Sequence, residues 1–236
     1  MRTVEGASRS HECRTVPRRP TRDPRLCGLY LILDPHAAHG RPLREILIQA
    51  VAGGARLFQY RDKQASMRDA YRRALELRRL AAEHGALFLV NDRCDLALAI
   101  QADGVHLGQR DLPVAKARAL LGPTRIIGLS THGPAEVAAA PADIVDYLGF
   151  GPIYSTESKP DHEPVVGLAG LRQVRSLTAL PIFAIGGVTA TSVEDLRQAG
   201  ADGVAVLSAV CGAADVAAAV REFTTTWPAT GESGLR

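Results

Sequence analysis

Leu29-Tyr-Leu-Ile-Leu33 is an apolar run that no charged residue interrupts, and Ile182-Phe-Ala-Ile185 repeats the pattern in the second half of the chain. A strand with one solvated face alternates apolar and polar residues, whereas a parallel strand covered by helices is apolar on both faces. Both runs therefore predict buried parallel strands.

Eight such runs follow one another after Gly28, and they are Leu29–Asp34, Arg56–Arg61, Leu87–Asp92, Gly104–Leu107, Ile126–Thr131, Tyr147–Phe150, Ile182–Gly186 and Gly203–Leu207. Stretches between and after them predict helices, among them Pro42–Ala52, Ser66–His84, Ala135–Ala139, Gly170–Thr178, Ser192–Ala199 and Ala213–Phe223. This alternation favours a parallel sheet with helices outside. A doubly wound open sheet shares it, but eight strands with polar motifs at many strand ends favour an α/β (β/α)₈ TIM barrel.

Length and charge indicate one domain with tails. The chain has 236 residues, a net charge of +3 and 46% hydrophobic residues, which suits a single core without a structural metal. We expect the barrel over residues 28–226, a basic disordered tail over 1–27 and a short C-terminal tail over 227–236. Charge beyond the tail is near balance, so no nucleic-acid partner is expected, although an arginine-rich arm that binds phosphate or nucleic acid stays open.

Membrane and disulfide signals are absent from the sequence. No run of 18 apolar residues occurs, and the N-terminus lacks the apolar segment of a secretory signal. Cys13, Cys27, Cys94 and Cys211 form no CxxC pair. We therefore expect a soluble cytoplasmic protein without a membrane partner, and a homo-oligomer stays open.

Polar side chains follow nearly every predicted strand, and the βα loops there carry the chemistry of this fold. After the second strand, alternation directs Gln59, Arg61 and Lys63 to one side. Two cations and an amide there predict a phosphate grip, since arginine offers a planar fork and lysine a point charge. The alternative is a solvated, charged strand end.

Two aspartates follow neighbouring predicted strands. Asp92 ends the third strand and Asp111 follows the fourth, so their carboxylates are expected to converge. Mg²⁺ prefers one or two carboxylates together with water and phosphate oxygens. The pair therefore predicts a Mg²⁺–diphosphate site, and the alternative is that each aspartate caps the next helix.

Further polar segments follow the remaining strands. Ser130-Thr131-His132 offers hydroxyls for a ligand or for a helix cap. Residues 151–167 form a long loop that predicts a lid or a tolerated insertion. Gly187 and Ser208, after the seventh and eighth strands, predict a second phosphate site. Two phosphorylated substrates, or one bisphosphate, would explain both anion sites.

Seven segments occur in the order found in thiamine-phosphate synthases, and over Leu29 to Phe223 the chain resembles that family. The segments are Gln-Tyr-Arg-Asp-Lys (59–63), Asn-Asp-Arg (91–93), Gly-Val-His-Leu-Gly-Gln-Arg-Asp-Leu-Pro (104–113), Gly-Leu-Ser-Thr-His (128–132), Thr-Glu-Ser-Lys (156–159), Ile-Gly-Gly (185–187) and Val-Leu-Ser-Ala (206–209). The family's loop motif is usually Thr-x-Thr-Lys, and Ser158 replaces its second threonine here while keeping a hydroxyl.

The resemblance implies a transferase that joins hydroxymethyl-aminopyrimidine diphosphate to a thiazole phosphate, or to its carboxylated form. It implies Mg²⁺ on Asp92 and Asp111 and catalytic roles for Arg61, Lys63, Lys159 and Ser130. The implied pyrimidine-diphosphate residues are Gln59, Tyr60, Arg61, Asp62, Lys63, Asn91, Ser130 and Lys159. The implied thiazole-phosphate residues are Thr156, Glu157, Ser158, Gly187, Leu207 and Ser208.

The implied reaction needs no protein nucleophile. Diphosphate leaves a carbon whose cation the aminopyrimidine ring can delocalise, cations and Mg²⁺ stabilise the departing charge, and the thiazole nitrogen attacks. Closure of the 151–167 loop would exclude water. Two alternatives are a thiazole tautomerase-like barrel, for which His106 and His132 could act as bases, and a non-catalytic protein that binds thiamine precursors.

Overall fold

A computed structural model describes residues 23–156 and 164–227 of the chain. Eight parallel strands close into a barrel in chain order, with the last strand paired to the first. The strands are β1 Gly28–Leu33, β2 Leu57–Tyr60, β3 Leu87–Asn91, β4 Gly104–Leu107, β5 Ile126–Thr131, β6 Tyr147–Phe150, β7 Ile182–Ile185 and β8 Gly203–Val206. The predicted TIM barrel is confirmed.

Helices follow the strands around the outside of the barrel. They are α1 Leu43–Ala52, α2 Met67–Glu83, α3 Cys94–Ala99, α4 Val114–Leu121, α5 Pro134–Ala139, α6 Gly167–Arg175, α7 Val193–Gln198, α8 Ser208–Cys211 and α9 Val216–Thr226. A 3₁₀ turn at Ala190–Ser192 precedes α7.

Alternation along the strands separates two buried clusters. On β1, Tyr30 and Ile32 belong to the cluster inside the barrel, whereas Leu31 and Leu33 belong to the larger cluster formed with the helices. Both faces of each strand are therefore buried, which is why the strands are continuous apolar runs. Polar residues on the inward face stand out against this background.

Helix α2 shows local signals at both ends. The Ser66 hydroxyl accepts a hydrogen bond from the Asp69 amide at 3.2 Å and caps the first turn. Gly85 follows the last turn with a φ of +64°, a left-handed conformation that glycine adopts without a steric penalty.

Aspartates close the N-terminal end of the barrel. Asp103, Asp146 and Asp202 directly precede β4, β6 and β8, and a carboxylate oxygen of each accepts a backbone N–H from the first two residues of the preceding strand. These bonds to the amides of Phe88, Ile127 and Ile182 measure 2.8, 2.7 and 2.8 Å. Such N–H groups would otherwise lack a partner in the sheet.

Arginines pair with two of these aspartates. Arg118 contacts Asp146 at 3.2 Å and donates to the carbonyls of Gly122, Arg125 and Ile144. Arg175 contacts Asp202 at 2.7 Å and donates to the carbonyls of Gly200, Thr178 and Leu180. Charged side chains at this end therefore serve the backbone.

Most of each predicted tail lies outside the described residues. Residues 1–22 and 228–236 lie outside them, whereas residues 23–27 are described and Leu26 is buried inside the barrel cluster. The barrel thus includes residues that the composition assigns to the basic tail. In the described part of the chain, the helices are all too short or too polar to span a bilayer.

Candidate active site

A cavity of about 420 Å³ opens where the strands end, and residues from all eight strands line it. Its floor includes Tyr30 and Phe183, which are 1% and 0% exposed. Catalytic residues of this fold gather at this end of the barrel. The cavity contains most of the site residues that the sequence predicts.

The end of β2 brings three predicted residues to the cavity. Gln59, Arg61 and Lys63 all line it. Tyr60 and Asp62 point to the opposite side, where the Tyr60 hydroxyl donates to Asp62 at 3.1 Å. Alternation along the strand explains the division.

Asp62 supports the loop that follows β2. Its carboxylate accepts from the backbone amides of Gln64 and Ala65 at 3.2 and 3.0 Å and pairs with Arg73 at 3.0 Å. These bonds fix the turn between Arg61 and Lys63 on one side and α2 on the other. Asp62 therefore supports the cavity indirectly, by holding the loop that carries Lys63.

A buried ion pair holds Arg61. Its guanidinium contacts the Asp34 carboxylate at the end of β1, and Asp34 is only 5% exposed. The other carboxylate oxygen accepts from the His36 amide at 2.8 Å. An arginine held by one hydrogen-bonded carboxylate retains further N–H donors for a cavity ligand.

Asp92 and Asp111 converge as predicted. Both line the cavity, they are close enough for Asp111 to shift the pKa of Asp92, and Lys63 Nζ approaches Asp92 to 3.4 Å. Desolvation by burial raises the pKa of Asp92 above its usual range, the neighbouring Asp111 raises it further, and Lys63 opposes both. Two carboxylates that repel each other in this way favour a bound cation.

Neither aspartate caps a helix. Helix α3 begins after Arg93 and α4 after Pro113, and neither has a side-chain cap. Asp111 instead accepts from the Gly108 amide at 2.6 Å, and Asp92 adopts a left-handed φ of 62° that is uncommon outside glycine. The capping alternative is wrong for this pair.

Two carboxylates beside two cations fit Mg²⁺ better than a metal held only by protein. Mg²⁺ keeps several water or phosphate oxygens and needs one or two carboxylates. Among the described residues, no group of three or more His, Cys, Asp or Glu could hold a metal ion. The donor set of Asp92 and Asp111 therefore suits Mg²⁺ that arrives with a phosphorylated substrate.

A hydrogen-bonded series crosses the cavity floor. Gln59 Nε2 donates to the Tyr30 hydroxyl at 2.6 Å, and that hydroxyl lies 2.9 Å from the Tyr147 hydroxyl. Tyr147 contacts His106 Nδ1 at 2.9 Å, and His106 Nε2 contacts the Ser130 hydroxyl at 2.8 Å. Ser130 thus lines the cavity with support from residues of four other strands.

The segments that follow β7 and β8 form another part of the rim. Gly187, Leu207 and Ser208 line the cavity, and Gly187 has a φ of 63° at a position where an added Cβ would overlap the Ser155 carbonyl oxygen and the Tyr154 Cβ. Only glycine fits this position without strain. Glycine at this position therefore allows the loop after β6 to pack closely against this part of the rim.

The loop after β6 is described in part. Thr156 lines the cavity, whereas Glu157, Ser158 and Lys159 lie outside the described residues. His132, also at the cavity, has its Nδ1 2.7 Å from the Gly151 carbonyl oxygen, so Nδ1 carries the hydrogen. No helix cap uses the hydroxyls of Ser130 or Thr131, because Gly133 precedes α5 without a side-chain cap.

Residues 29–210 match the family described as thiamine monophosphate synthase. The chain belongs to this family. A thiamine-phosphate synthase of Chloroflexus aurantiacus is 46% identical over 207 residues, which are 88% of this chain and 95% of the relative. One of Methanospirillum hungatei is 47% identical over 197 residues, which are 84% and 96% of the two chains.

A solved structure agrees with this assignment. Thiamine phosphate pyrophosphorylase from Pyrococcus furiosus superposes with a TM-score of 0.78 at 38% identity, over 86% of this chain and 96% of that one. Membership of the thiamine monophosphate synthase family makes the chain a transferase of thiamine biosynthesis.

Several residues that line or support this family member's cavity are missing from the sequence-based site. Asp34 and Tyr30 are examples, because each lies in an apolar run and meets its partner only across strands. Tyr147 is buried beneath His106 and resembles a core residue in the sequence. Asp34 carried a usable signal, since it is a charged residue at a strand end.

Proposed function

We propose that this chain condenses 4-amino-2-methyl-5-hydroxymethylpyrimidine diphosphate with 4-methyl-5-(2-hydroxyethyl)thiazole phosphate, giving thiamine phosphate and diphosphate. The observation that carries this proposal is that two groups of residues predicted to bind anions line one cavity. Arg61 and Lys63 with Asp92 and Asp111 form one region, and the wall at Gly187 and Ser208 forms the other. Two phosphorylated substrates that react with each other need this arrangement.

The first region binds the diphosphate. Arg61 offers a fork of N–H donors held by Asp34, and Lys63 offers a point charge beside Asp92. As the carbon–oxygen bond breaks, negative charge gathers on the departing diphosphate. Donors that are already in place stabilise this charge without reorganising, so they lower the barrier more than they strengthen substrate binding.

Asp92 and Asp111 hold Mg²⁺ in this proposal. When bound, Mg²⁺ neutralises diphosphate oxygens and so makes the diphosphate a better leaving group. The two carboxylates fix the position of the ion, and Lys63 next to Asp92 brings the diphosphate to the same place. Asn91, at the end of β3, also lines this part of the cavity.

The remaining residues orient the two rings. Gln59 and Ser130 lie on the cavity wall, where an amide and a hydroxyl can bond the pyrimidine or its diphosphate. Thr156, Gly187, Leu207 and Ser208 receive the thiazole phosphate. Lys159, Glu157 and Ser158 keep the roles that the family resemblance implies, and Tyr60 and Asp62 contribute through the loop.

A thiazole tautomerase-like or purely binding function fits the cavity less well. Proton transfer on a thiazole requires neither two cations nor a pair of carboxylates. Arg61, Lys63, Asp92 and Asp111 would have no task in such a protein. An assay for thiamine phosphate formation distinguishes the synthase from these two alternatives.

Product formation tests the proposal. The purified protein is incubated with both substrates in Mg²⁺ or in EDTA, and thiamine phosphate and diphosphate are followed by chromatography. We expect equal amounts of both products in Mg²⁺ and none in EDTA. Folded protein that binds the thiazole phosphate but yields no thiamine phosphate would refute the synthase function.

A pair of matched variants tests the metal residues. Asp92→Asn is expected to abolish most activity at low Mg²⁺, whereas Asp95→Asn makes the same change on an exposed residue paired with Arg93. Equal losses in the two variants would contradict the metal role of Asp92. A cytoplasmic location and a homo-oligomer remain predictions, which localisation imaging and light scattering would check.

A further inference from the structure

Tyr147 is fully buried on β6, is absent from the described lining of the cavity and yet is bonded to the site. Its hydroxyl lies 2.9 Å from Tyr30 and 2.9 Å from His106 Nδ1. Its ring stacks on His106 with centroids 5.4 Å apart. A phenol held so closely fixes the histidine ring in position.

Neighbouring strands leave space for these rings. A Cβ at position 128 would overlap the Tyr147 phenol, and one at 149 would come within 3.1 Å of His106 Cε1. Gly128 is paired with both His106 and Tyr147 in the barrel register. Small residues on β5 and β6 therefore create the space that the Tyr147–His106 contact occupies.

The direction of the series follows from donor and acceptor chemistry. Burial raises the pKa of both Tyr30 and Tyr147, so each phenol keeps its single hydrogen at neutral pH. Gln59 Nε2 donates to Tyr30. If Tyr30 then donates to Tyr147, Tyr147 donates to Nδ1 and Nε2–H donates to Ser130, so each donor in the series has an acceptor.

The opposite direction leaves a hydrogen without an acceptor. Tyr30 would accept from both Gln59 and Tyr147, and the series would supply no partner for its own hydrogen. A buried donor without a partner costs free energy comparable to a lost hydrogen bond. The first direction is therefore favoured.

We propose that Tyr147, acting through His106, is a positioning residue that holds His106 as its Nε2–H tautomer and so directs the Ser130 hydrogen into the cavity. Ser130 accepts from His106 and retains its own hydrogen for a ligand. A donor aimed at developing negative charge contributes most in the transition state. The kinetic part of this inference rests on the proposed function.

Nitrogen resonances of His106 test the tautomer without turnover. Protein labelled with ¹⁵N-histidine is examined without substrate, and His106 is assigned by its loss in a His106→Gln variant. We expect Nδ1 to resonate as the unprotonated nitrogen and Nε2 as the protonated one. The reverse assignment would overturn the proposal, even if the protein makes no thiamine phosphate.

A double-mutant cycle tests the kinetic consequence. Tyr147→Phe keeps the ring and is expected to lower kcat by about tenfold to a hundredfold, because the Ser130 hydrogen is then no longer held toward the developing negative charge. KM for the thiazole phosphate should change little. Tyr71→Phe, on the exposed face of α2, makes the same chemical change as a control.

The decisive comparison uses Ser130→Ala. If Tyr147 acts through Ser130, the double variant is no slower than Ser130→Ala alone. Losses that multiply would show that Tyr147 acts independently, and the proposal would fail. Tyr30→Phe replaces Tyr147→Phe in the cycle if the latter does not fold, because it breaks the same series one bond earlier.

Discussion

At the N-terminal end of the barrel, Asp103, Asp146 and Asp202 are each bonded to a backbone N–H, and Arg118 and Arg175 pair with the last two. At the C-terminal end, the carboxylates of Asp92 and Asp111 face each other and the cavity. The three aspartates at the N-terminal end therefore satisfy the backbone, whereas Asp92 and Asp111 at the other end line the cavity.

This difference teaches how to interpret a charged residue next to a barrel strand. A residue just before a strand lies where sheet N–H groups need acceptors, so its charge stabilises the fold. A residue just after a strand lies where loops converge, so its charge can serve chemistry when it is directed into the cavity, as for Lys63 but not for Asp62. Substitutions at the two ends should separate stability from activity.

The largest expected effect is on catalysis at the C-terminal end. Lys63→Ala should lower kcat/KM by about a hundredfold to a thousandfold, as for removal of one transition-state donor. Its free energy of unfolding should change by less than about 0.5 kcal/mol, because the side chain is 56% exposed. Steady-state kinetics and urea denaturation measure both, with Lys116→Ala as the control. A large fall in the free energy of unfolding of Lys63→Ala would show that Lys63 stabilises the fold and would contradict the distinction between the two ends of the barrel.

The next effect is on stability at the N-terminal end. Asp146→Ala leaves Arg118, 15% exposed, without its carboxylate and the Ile127 amide without its acceptor. The free energy of unfolding should fall by about 3 kcal/mol. Urea denaturation measures it, and Asp143→Ala, a nearby exposed aspartate, is the control. A fall in kcat of the folded enzyme without loss of stability would contradict the structural role.

The third effect concerns pH. Burial and Asp111 raise the pKa of Asp92, so the folded protein holds this proton more tightly than the unfolded chain. The stabilisation is present in acid and is lost as pH rises through the raised pKa. Mg²⁺ affinity should therefore fall as pH decreases through that value, with proton release on binding.

Asp92→Asn sharpens this point. It should weaken Mg²⁺ binding by at least about tenfold, and without Mg²⁺ it should not be less stable than the parent at neutral pH. Asparagine also tolerates the left-handed backbone at this position. Calorimetric Mg²⁺ titration and thermal unfolding test both statements. Destabilisation like that of Asp146→Ala would place Asp92 among the structural carboxylates.

The smallest effect tests a polar residue at the catalytic end that serves the fold. Ser66→Ala removes the cap of α2 and should lower the free energy of unfolding by about 1 kcal/mol. Kinetic constants should not change, since Ser66 is absent from the described lining of the cavity. Ser66→Asp, which restores a capping side chain, should recover the stability.

Much of the fold could be predicted because the strands are continuous apolar runs. Gly104–Leu107, Ile126–Thr131 and Tyr147–Phe150 have the predicted bounds, and the other strands shift by a residue at one or both ends. Helices α3, α4 and α8 were not among the predicted stretches. All three are short, and none has a side-chain cap to mark its start.

Site residues that directly follow a strand could be predicted from the sequence. Contacts that depend on the register between neighbouring strands could not. Alternation placed Gln59, Arg61 and Lys63 on one side, as found. The Asp34–Arg61 pair and the contacts of Tyr147 depend on which residues of neighbouring strands face each other. Apolar periodicity gives no information on such cross-strand pairs.

The tightly packed floor of the cavity also limits how ligands enter and leave. Tyr30, Tyr147 and Phe183 pack edge to face with centroids 5.3 to 5.8 Å apart and block the barrel below the site. Among the described residues, these rings close the floor of the cavity, so we expect substrates to enter and products to leave on the side of the loops that follow the strands.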